Sequence, residues 1–262
     1  MSIKICEKEV KENIIPILLN ARDIVLYEHE HLKVQEKGKS NYVTDLDIKI
    51  QSFIEEKINE LYPNIVFVSE EKQITDTVDD YWVLDPIDGT TNLIHGYESS
   101  CISLAYVTGG TPVFGCVCNI FEDELFYAVK GEGAFKKNKN GTYRITTSIN
   151  DIDNSIIGFG FPYDKTKIDL LFSILKKIFP HCDDFKRKGP ASLDICYVAC
   201  GKLDAYIELD LEVWDFSAGM LILQEAGGYL SDFDENIPSG KSNIIACNPI
   251  LYGSLHEIIN DV

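Results

Sequence analysis

The sequence predicts a layered α/β or α+β protein. Three observations carry that expectation. Apolar residues recur at helical spacing in some segments and alternate at strand spacing in others. The two kinds of segment come in blocks along all 262 residues. The longest apolar stretches, such as Ile14 to Leu19, fall far short of the ~20 residues that a membrane span needs.

The elements follow in order. Residues 4–28 read as one helix, with Pro16 as a kink or break, because proline has no N–H and crowds the preceding turn. The opening MSIKICEKEVKENII sets charge against apolar residues every three or four positions, so it reads as an amphipathic helix and not a signal peptide. Residues 28–42 are polar and read as a loop or loose hairpin. A helix from Thr44 to about Leu61 follows, with Leu46, Ile50, Phe53, Ile54 and Ile58 on one face. Ile65 to Val68 and Tyr81 to Leu84 are short strands, separated by an acidic loop at 70–80. Three consecutive strands come next, at 102–107, 113–119 and 124–129, with turns at Gly109-Gly110 and Glu122-Asp123.

Near residue 140 the run KKNKNGT reads as a loop between two halves of one compact unit, 1–140 and 141–262. The second half reads as a strand (155–160), helices (166–178, 190–200), a strand (204–209), a helix (215–226), two strands (229–233, 243–247) and a last helix (250–259).

Composition narrows the function. Apolar residues make up 45% of the chain, an ordinary globular share. Against 42 acidic side chains stand 24 basic ones, a net charge of −18, which argues against a nucleic-acid surface and suits cation binding. The eight cysteines form no Cys-x-x-Cys pair, and most sit among apolar neighbours. They read as reduced, buried thiols of a cytoplasmic protein. There is no Gly-x-Ser-x-Gly, no Walker loop and no His-Glu-x-x-His, so covalent serine chemistry and zinc proteolysis have no visible basis.

Chemistry concentrates in a few acids. In WVLDPIDGTTN an apolar strand ends in Asp85, Pro86 fixes a turn, and Asp88-Gly89 is a second turn signal. Two carboxylates across such a turn can converge on one cation. The amides of Gly89, Thr90 and Thr91 would open a helix and face an anion. A dication site beside a phosphate cradle is what phosphoryl chemistry requires. Three further segments add acids: Val68-Ser69-Glu70-Glu71, Val43-Thr44-Asp45-Leu46-Asp47, and Glu212-Val213-Trp214-Asp215 before an apolar helix. Singly, Glu70, Asp47 and Asp215 read equally well as turn or cap acids. Asp76, Asp79, Asp80, Asp183, Asp184 and Glu235 read as solvated surface.

From about residue 5 to residue 258 the chain resembles the inositol monophosphatase family. WVLDPIDGTTN resembles the family's first signature and WDFSAGMLILQEAGG its second, with Glu70-Glu71, VTDLD and Asp204-Ala-Tyr-Ile-Glu208 in the expected order. The resemblance implies a five-layered αβαβα sandwich, usually a homodimer, and a lithium-sensitive, Mg²⁺-dependent phosphatase. It implies that Glu70, Asp85 and the Ile87 carbonyl bind a first Mg²⁺. Asp85, Asp88 and Asp215 would bind a second, and Glu70 a weaker third. Asp47 and Thr90 would orient the attacking water. Gly89, Thr90 and Thr91 would bind phosphate, and Ala191 and Glu208 the substrate hydroxyls.

Leu93, Ser217 and Pro190 depart from the family pattern. The first two concern packing behind the site, and Pro190 abuts Ala191, so it bears on substrate preference. Inositol 1-phosphate is the expected substrate, since Glu208 suits a neutral, hydroxyl-rich molecule. Fructose 1,6-bisphosphate, histidinol phosphate and 3′-phosphoadenosine 5′-phosphate are the alternatives on the same fold. Arg187 and Lys188 would serve a second phosphate, or else simply balance Asp183 and Asp184, which is the preferred reading. A catalytically silent regulatory scaffold is the reading from another class. The intact set of acids speaks against it. Neither a membrane nor a nucleic acid is expected as a partner.

Overall fold

The computed structural model describes residues 5–38, 41–70 and 78–262, so the expectations placed on Glu71 and Asp76 lie outside the described residues. The chain starts with α1 (Glu7–Glu9), widens into a π-helical turn at Val10–Ile14 and continues as α2 (Ile15–Glu28). Pro16 therefore does not break the helix. It has no N–H for the carbonyl of Glu12, and the π turn lies where that bond is missing.

A hairpin of β1 (Val34–Gly38) and β2 (Asn41–Thr44) occupies the polar 28–42 segment. Thr44 then opens α3 (Asp45–Leu61) with a reciprocal cap: its N–H donates to Asp47 Oδ2 at 2.7 Å, and its hydroxyl accepts from the Asp47 N–H at 3.4 Å.

Next come β3 (Val66–Ser69), β4 (Asp80–Asp88), the short helix α4 (Thr90–Ile94), β5 (Cys101–Thr108), β6 (Thr111–Asn119), β7 (Leu125–Val129), β8 (Gly133–Asn138) and β9 (Gly141–Arg144). The seven strands β3 to β9 form one sheet in sequence order, with β3 parallel to β4 and every other pair antiparallel. Period-two alternation divides its faces. Leu125, Tyr127 and Val129 pack with α2 and α3, whereas Phe126 and Ala128 face the other way. Cys116 and Cys118 share the first face, and Val117 takes the second.

Two differences from the sequence reading have simple causes. The polar run near 140 is the tip of the β8–β9 hairpin. β9 is an edge strand exposed along its whole length, so no apolar alternation announces it. Strand β4 runs past Pro86 to Asp88, because its register with β5 shifts between Asp85 and Asp88 and a proline is tolerated where no ladder donor is needed.

The remaining elements are β10 (Ile156–Phe159), α5 (Ile168–Ile178), β11 (Asp184–Lys186), α6 (Ala191–Ala199), β12 (Ala205–Leu211), α7 (Val213–Glu225), β13 (Tyr229–Asp232), β14 (Ser242–Cys247) and α8 (Tyr252–Asn260). Their sheet has the order β11-β10-β12-β14-β13. The first three strands are parallel, and β14 runs antiparallel to both neighbours.

Helices α6 and α7 are buried on nearly every side because they lie between the two sheets. Gly115 of β6 gives α7 its close approach: a Cβ there would stand 2.6 Å from the Ala218 carbonyl oxygen. Helices α5 and α8 cover the far face of the second sheet through Ile174, Ile178, Leu255 and Ile259. The layers run α2/α3, seven strands, α6/α7, five strands, α5/α8, which is the αβαβα sandwich that the resemblance implies. All eight cysteines are free thiols, and five of them are buried.

Candidate active site

The acids meet where β4, α6, α7 and β12 come together. Asp85 ends the regular part of β4, Asp88 follows the register shift, and Asp215 lies in the first turn of α7. Carboxylate oxygens of these three lie within 4.8 Å of one another. Each also accepts a backbone N–H that fixes its rotamer. Ile87 donates to Asp85 Oδ1 at 3.0 Å, Ser192 to Asp88 Oδ2 at 2.9 Å, and Glu212 to Asp215 Oδ2 at 2.7 Å.

Burial, then repulsion from neighbouring acids, holds the Asp85 and Asp215 carboxyls well above the usual carboxylate range. Burial likewise pushes Asp88 up to about 6. A site that gathers negative charge out of water calls for a cation. Its donors are oxygens only, which suits a hard dication such as Mg²⁺ rather than zinc.

Glu70 follows β3 and lines the same cavity, of about 310 Å³, together with Ile87, Gly89 and Thr90. It stands outside the tight triad, but its charge adds to the elevation of Asp85. Asp47 is buried behind the cavity wall and meets it through Thr90. The Thr90 hydroxyl lies 3.1 Å from Asp47 Oδ1 and 3.0 Å from the Ile87 carbonyl. Asp47 Oδ2 meanwhile accepts the Thr44 hydroxyl at 2.5 Å.

The wall for the rest of a substrate is a second cavity of about 280 Å³. It shares Asp88, Gly89, Glu208 and Asp215 with the first, so the two form one cleft. Gly89 has a φ of +91°, and a Cβ there would come within 3.0 Å of the Ser99 carbonyl and 3.3 Å of Pro190 Cβ. Only glycine fits that turn without strain. Thr91, Pro190 and Ala191 line the cleft beside it. Glu208, on β12, accepts the Tyr206 hydroxyl, and burial pushes its carboxyl up to about 8. Gly160 abuts it so closely that a Cβ would overlap the carboxylate.

The two cations before Gly189 part company. Lys188 pairs with Glu122 at 2.9 Å. Arg187 lies over the Phe161 ring, 5.3 Å from its centroid, and lines the cleft. The partner of Asp184 is Lys186, so Arg187 and Lys188 do not form the charge-balancing pair expected with Asp183 and Asp184. Leu93 is buried in the core, and Ser217 donates to the Val213 carbonyl at 2.6 Å; both stand behind the site.

Sequence reasoning missed Ser192, Tyr206 and Gly160. Ser192 holds Asp88 through its backbone N–H and donates its hydroxyl to the Asp215 carbonyl at 2.8 Å. A backbone donor has no side-chain signature. Tyr206 had one signal, its place on the same strand face two residues before Glu208.

Fold and site define a class: layered αβαβα proteins that gather carboxylates in a cleft between two sheets. The chain belongs to the inositol monophosphatase family, whose pattern it matches over residues 5–262. The Nus factor SuhB of Pasteurella multocida is 34% identical over 239 residues, covering 89% of this chain and 86% of that protein. Among solved structures, the extragenic suppressor protein suhB of Bartonella henselae aligns with a TM-score of 0.88 at 29% identity, over 95% of this chain and 98% of that one. The IMPase of Thermotoga maritima aligns at 0.85 and 27% identity, over 95% of each chain. Among the described residues, no helix is long and apolar enough to cross a membrane.

Proposed function

We propose that this protein is a Mg²⁺-dependent phosphomonoesterase for a small polyol or sugar phosphate, with inositol 1-phosphate as the foremost substrate. The observation that carries this reading is the Asp85–Asp88–Asp215 cluster opening on the same cleft as the Asp47–Thr90 pair. Glu70, Asp85 and the Ile87 carbonyl would hold one ion, Asp85, Asp88 and Asp215 another, and Glu70 a weaker third. Bound Mg²⁺ supplies charge for the phosphate oxygens and a more acidic water.

The chain does the rest. The amides of Gly89 to Thr91 hold phosphate oxygens. Thr90 accepts a hydrogen bond from the attacking water and passes the proton to buried Asp47. Glu208 meets substrate hydroxyls, with Ala191 beside it. Burial pushes the Glu208 carboxyl up to about 8 in the metal-free protein, and its protonated form both donates and accepts there. We place the enzyme in the cytoplasm as a homodimer, with its small-molecule substrate as partner and with no nucleic acid or membrane.

The test is phosphate release from inositol 1-phosphate, fructose 1,6-bisphosphate, histidinol phosphate, 3′-phosphoadenosine 5′-phosphate and glycerol 2-phosphate, each with Mg²⁺ and with a chelator. Chelator-sensitive release led by inositol 1-phosphate is the expected result. A bisphosphate or nucleotide far ahead would transfer the reading to that substrate, with Arg187 as its second anchor.

The name Nus factor on a relative at 34% identity favours a second reading, in which the chain acts as a non-catalytic factor. No release from any substrate at any Mg²⁺ concentration would favour it. Asp85→Asn and Asp215→Asn separate the two, since loss of turnover with the fold intact belongs to the phosphatase alone.

A further inference from the structure

Asp194 is buried in the first turn of α6 and touches neither cavity. Its Oδ2 accepts the Gly189 N–H at 2.9 Å, and its own N–H donates to the Pro190 carbonyl at 3.0 Å. From the other side, the Ser99 hydroxyl donates to the Gly189 carbonyl at 2.6 Å. Asn92 of α4 donates to the Ser99 carbonyl at 2.8 Å, and the Ser100 hydroxyl donates to the Gly89 carbonyl at 3.0 Å.

These bonds make a strap. It ties the 189–190 turn to the Gly89 turn and α4. The tied turn delivers Pro190 against Gly89, Ala191 to the cleft wall and the Ser192 N–H to Asp88.

We propose that Asp194 is a positioning residue: it holds Gly189 so that Ser192 fixes Asp88 for the metal and Ala191 meets the substrate. This inference rests on the metal-dependent phosphatase reading. What the strap needs from Asp194 is an acceptor oxygen, not a charge. Burial pushes its carboxyl up to about 7, and the protonated form keeps a carbonyl oxygen for Gly189. Asparagine offers the same oxygen, and alanine offers none. Alanine would leave the Gly189 N–H without its partner and free the turn.

The test titrates the full chain with Mg²⁺ in inorganic phosphate by calorimetry, alongside inositol 1-phosphate kinetics. Asp194→Ala is expected to weaken Mg²⁺ binding about 10-fold, because loss of a residue that orients a ligand costs this much. KM should rise with it, while kcat at saturating Mg²⁺ stays within about threefold. Asp194→Asn should restore binding to within about threefold of the original.

Unchanged Mg²⁺ affinity in Asp194→Ala, or equal loss in Asp194→Asn, overturns the proposal. If the alanine variant does not fold, Ser99→Ala loosens the same turn from the other side. It should weaken Mg²⁺ binding about threefold, the worth of one hydrogen bond, and no change there overturns the proposal as well. A wild-type chain that binds no Mg²⁺ with phosphate would instead overturn the phosphatase reading on which the inference stands.

Discussion

The Thr90 hydroxyl stands 3.1 Å from Asp47 Oδ1, although 43 residues separate the two in the chain. The same oxygen stands 3.0 Å from the Ile87 carbonyl, and its one proton serves only one of them at a time. That choice is what a proton relay needs. Thr90→Val keeps the shape and removes the relay, so kcat should fall about 10²- to 10⁴-fold with little change in substrate KM. Asp47→Asn should do the same while keeping an acceptor for the Thr44 cap. Steady-state phosphate release with circular dichroism checks both. Turnover near wild type would remove the pair from the reaction.

Stability of the metal-free protein should fall as pH rises. Asp88 goes from 3.8 to about 6, Asp194 from 3.8 to about 7, and Glu208 from 4.5 to about 8. Each folded-state value exceeds its unfolded one. As pH climbs, the unfolded chain releases protons that the folded protein keeps, and unfolding is favoured until the folded values are passed. The melting temperature in chelator should therefore drop between about pH 5 and pH 8. Glu208→Gln should flatten the upper part of that slope. Saturating Mg²⁺ should raise the melting temperature more at pH 8 than at pH 5, because the ion competes with protons. A metal-free curve that rises over this interval would contradict the burial of these acids.

Gly160→Ala separates specificity from stability. The added methyl meets the carboxylate end of Glu208, which can swing aside, so the fold should lose less than about 1 kcal/mol. The displaced carboxylate no longer meets substrate hydroxyls as before. KM for inositol 1-phosphate should rise about 10-fold, with a smaller effect on glycerol 2-phosphate. Equal effects on both substrates would separate Glu208 from hydroxyl recognition.

Gly115→Ala tests the packing of α7. Its Cβ would stand 2.6 Å from the Ala218 carbonyl oxygen, and backbone cannot swing aside. The cost should be about 1–3 kcal/mol, or several degrees of melting temperature. Activity should fall too, since α7 carries Asp215. A variant as stable and active as the original would mean that the helix has room to move.

The local half of the site is legible in the sequence because strand, turn and helix start follow each other from Trp82 to Asn92. Asp85, Asp88 and Gly89 need no distant residue to be recognised as a turn that gathers charge. Asp215 and Asp47 are different. Each is an ordinary helix-start acid until the fold brings it to Asp88 or Thr90, and only the family resemblance singles it out. Ser192 and Asp194 are illegible for another reason: Ser192 holds Asp88 through a backbone N–H, which every residue but proline has, and the Asp194 carboxylate accepts the backbone N–H of Gly189, a partner that no side chain announces. In the fold, core-facing segments such as Leu125–Val129 announce themselves by alternation, whereas the edge strand β9 has no buried face and the three-residue edge strand β11 shows only Phe185.

The shared α6/α7 layer has a consequence for dynamics. Asp85 and Asp88 belong to the seven-stranded sheet, Glu208 to the five-stranded one, and Asp215 to the helix between them. An ion on the three aspartates, together with a substrate whose hydroxyls meet Glu208, would act as a staple across the molecule. Amide hydrogen exchange should therefore slow in both sheets when Mg²⁺, phosphate and inositol are added together, far beyond the residues that touch them. When the staple leaves, each sheet regains its own rate of breathing, and the cleft between them becomes the seam along which the protein first opens.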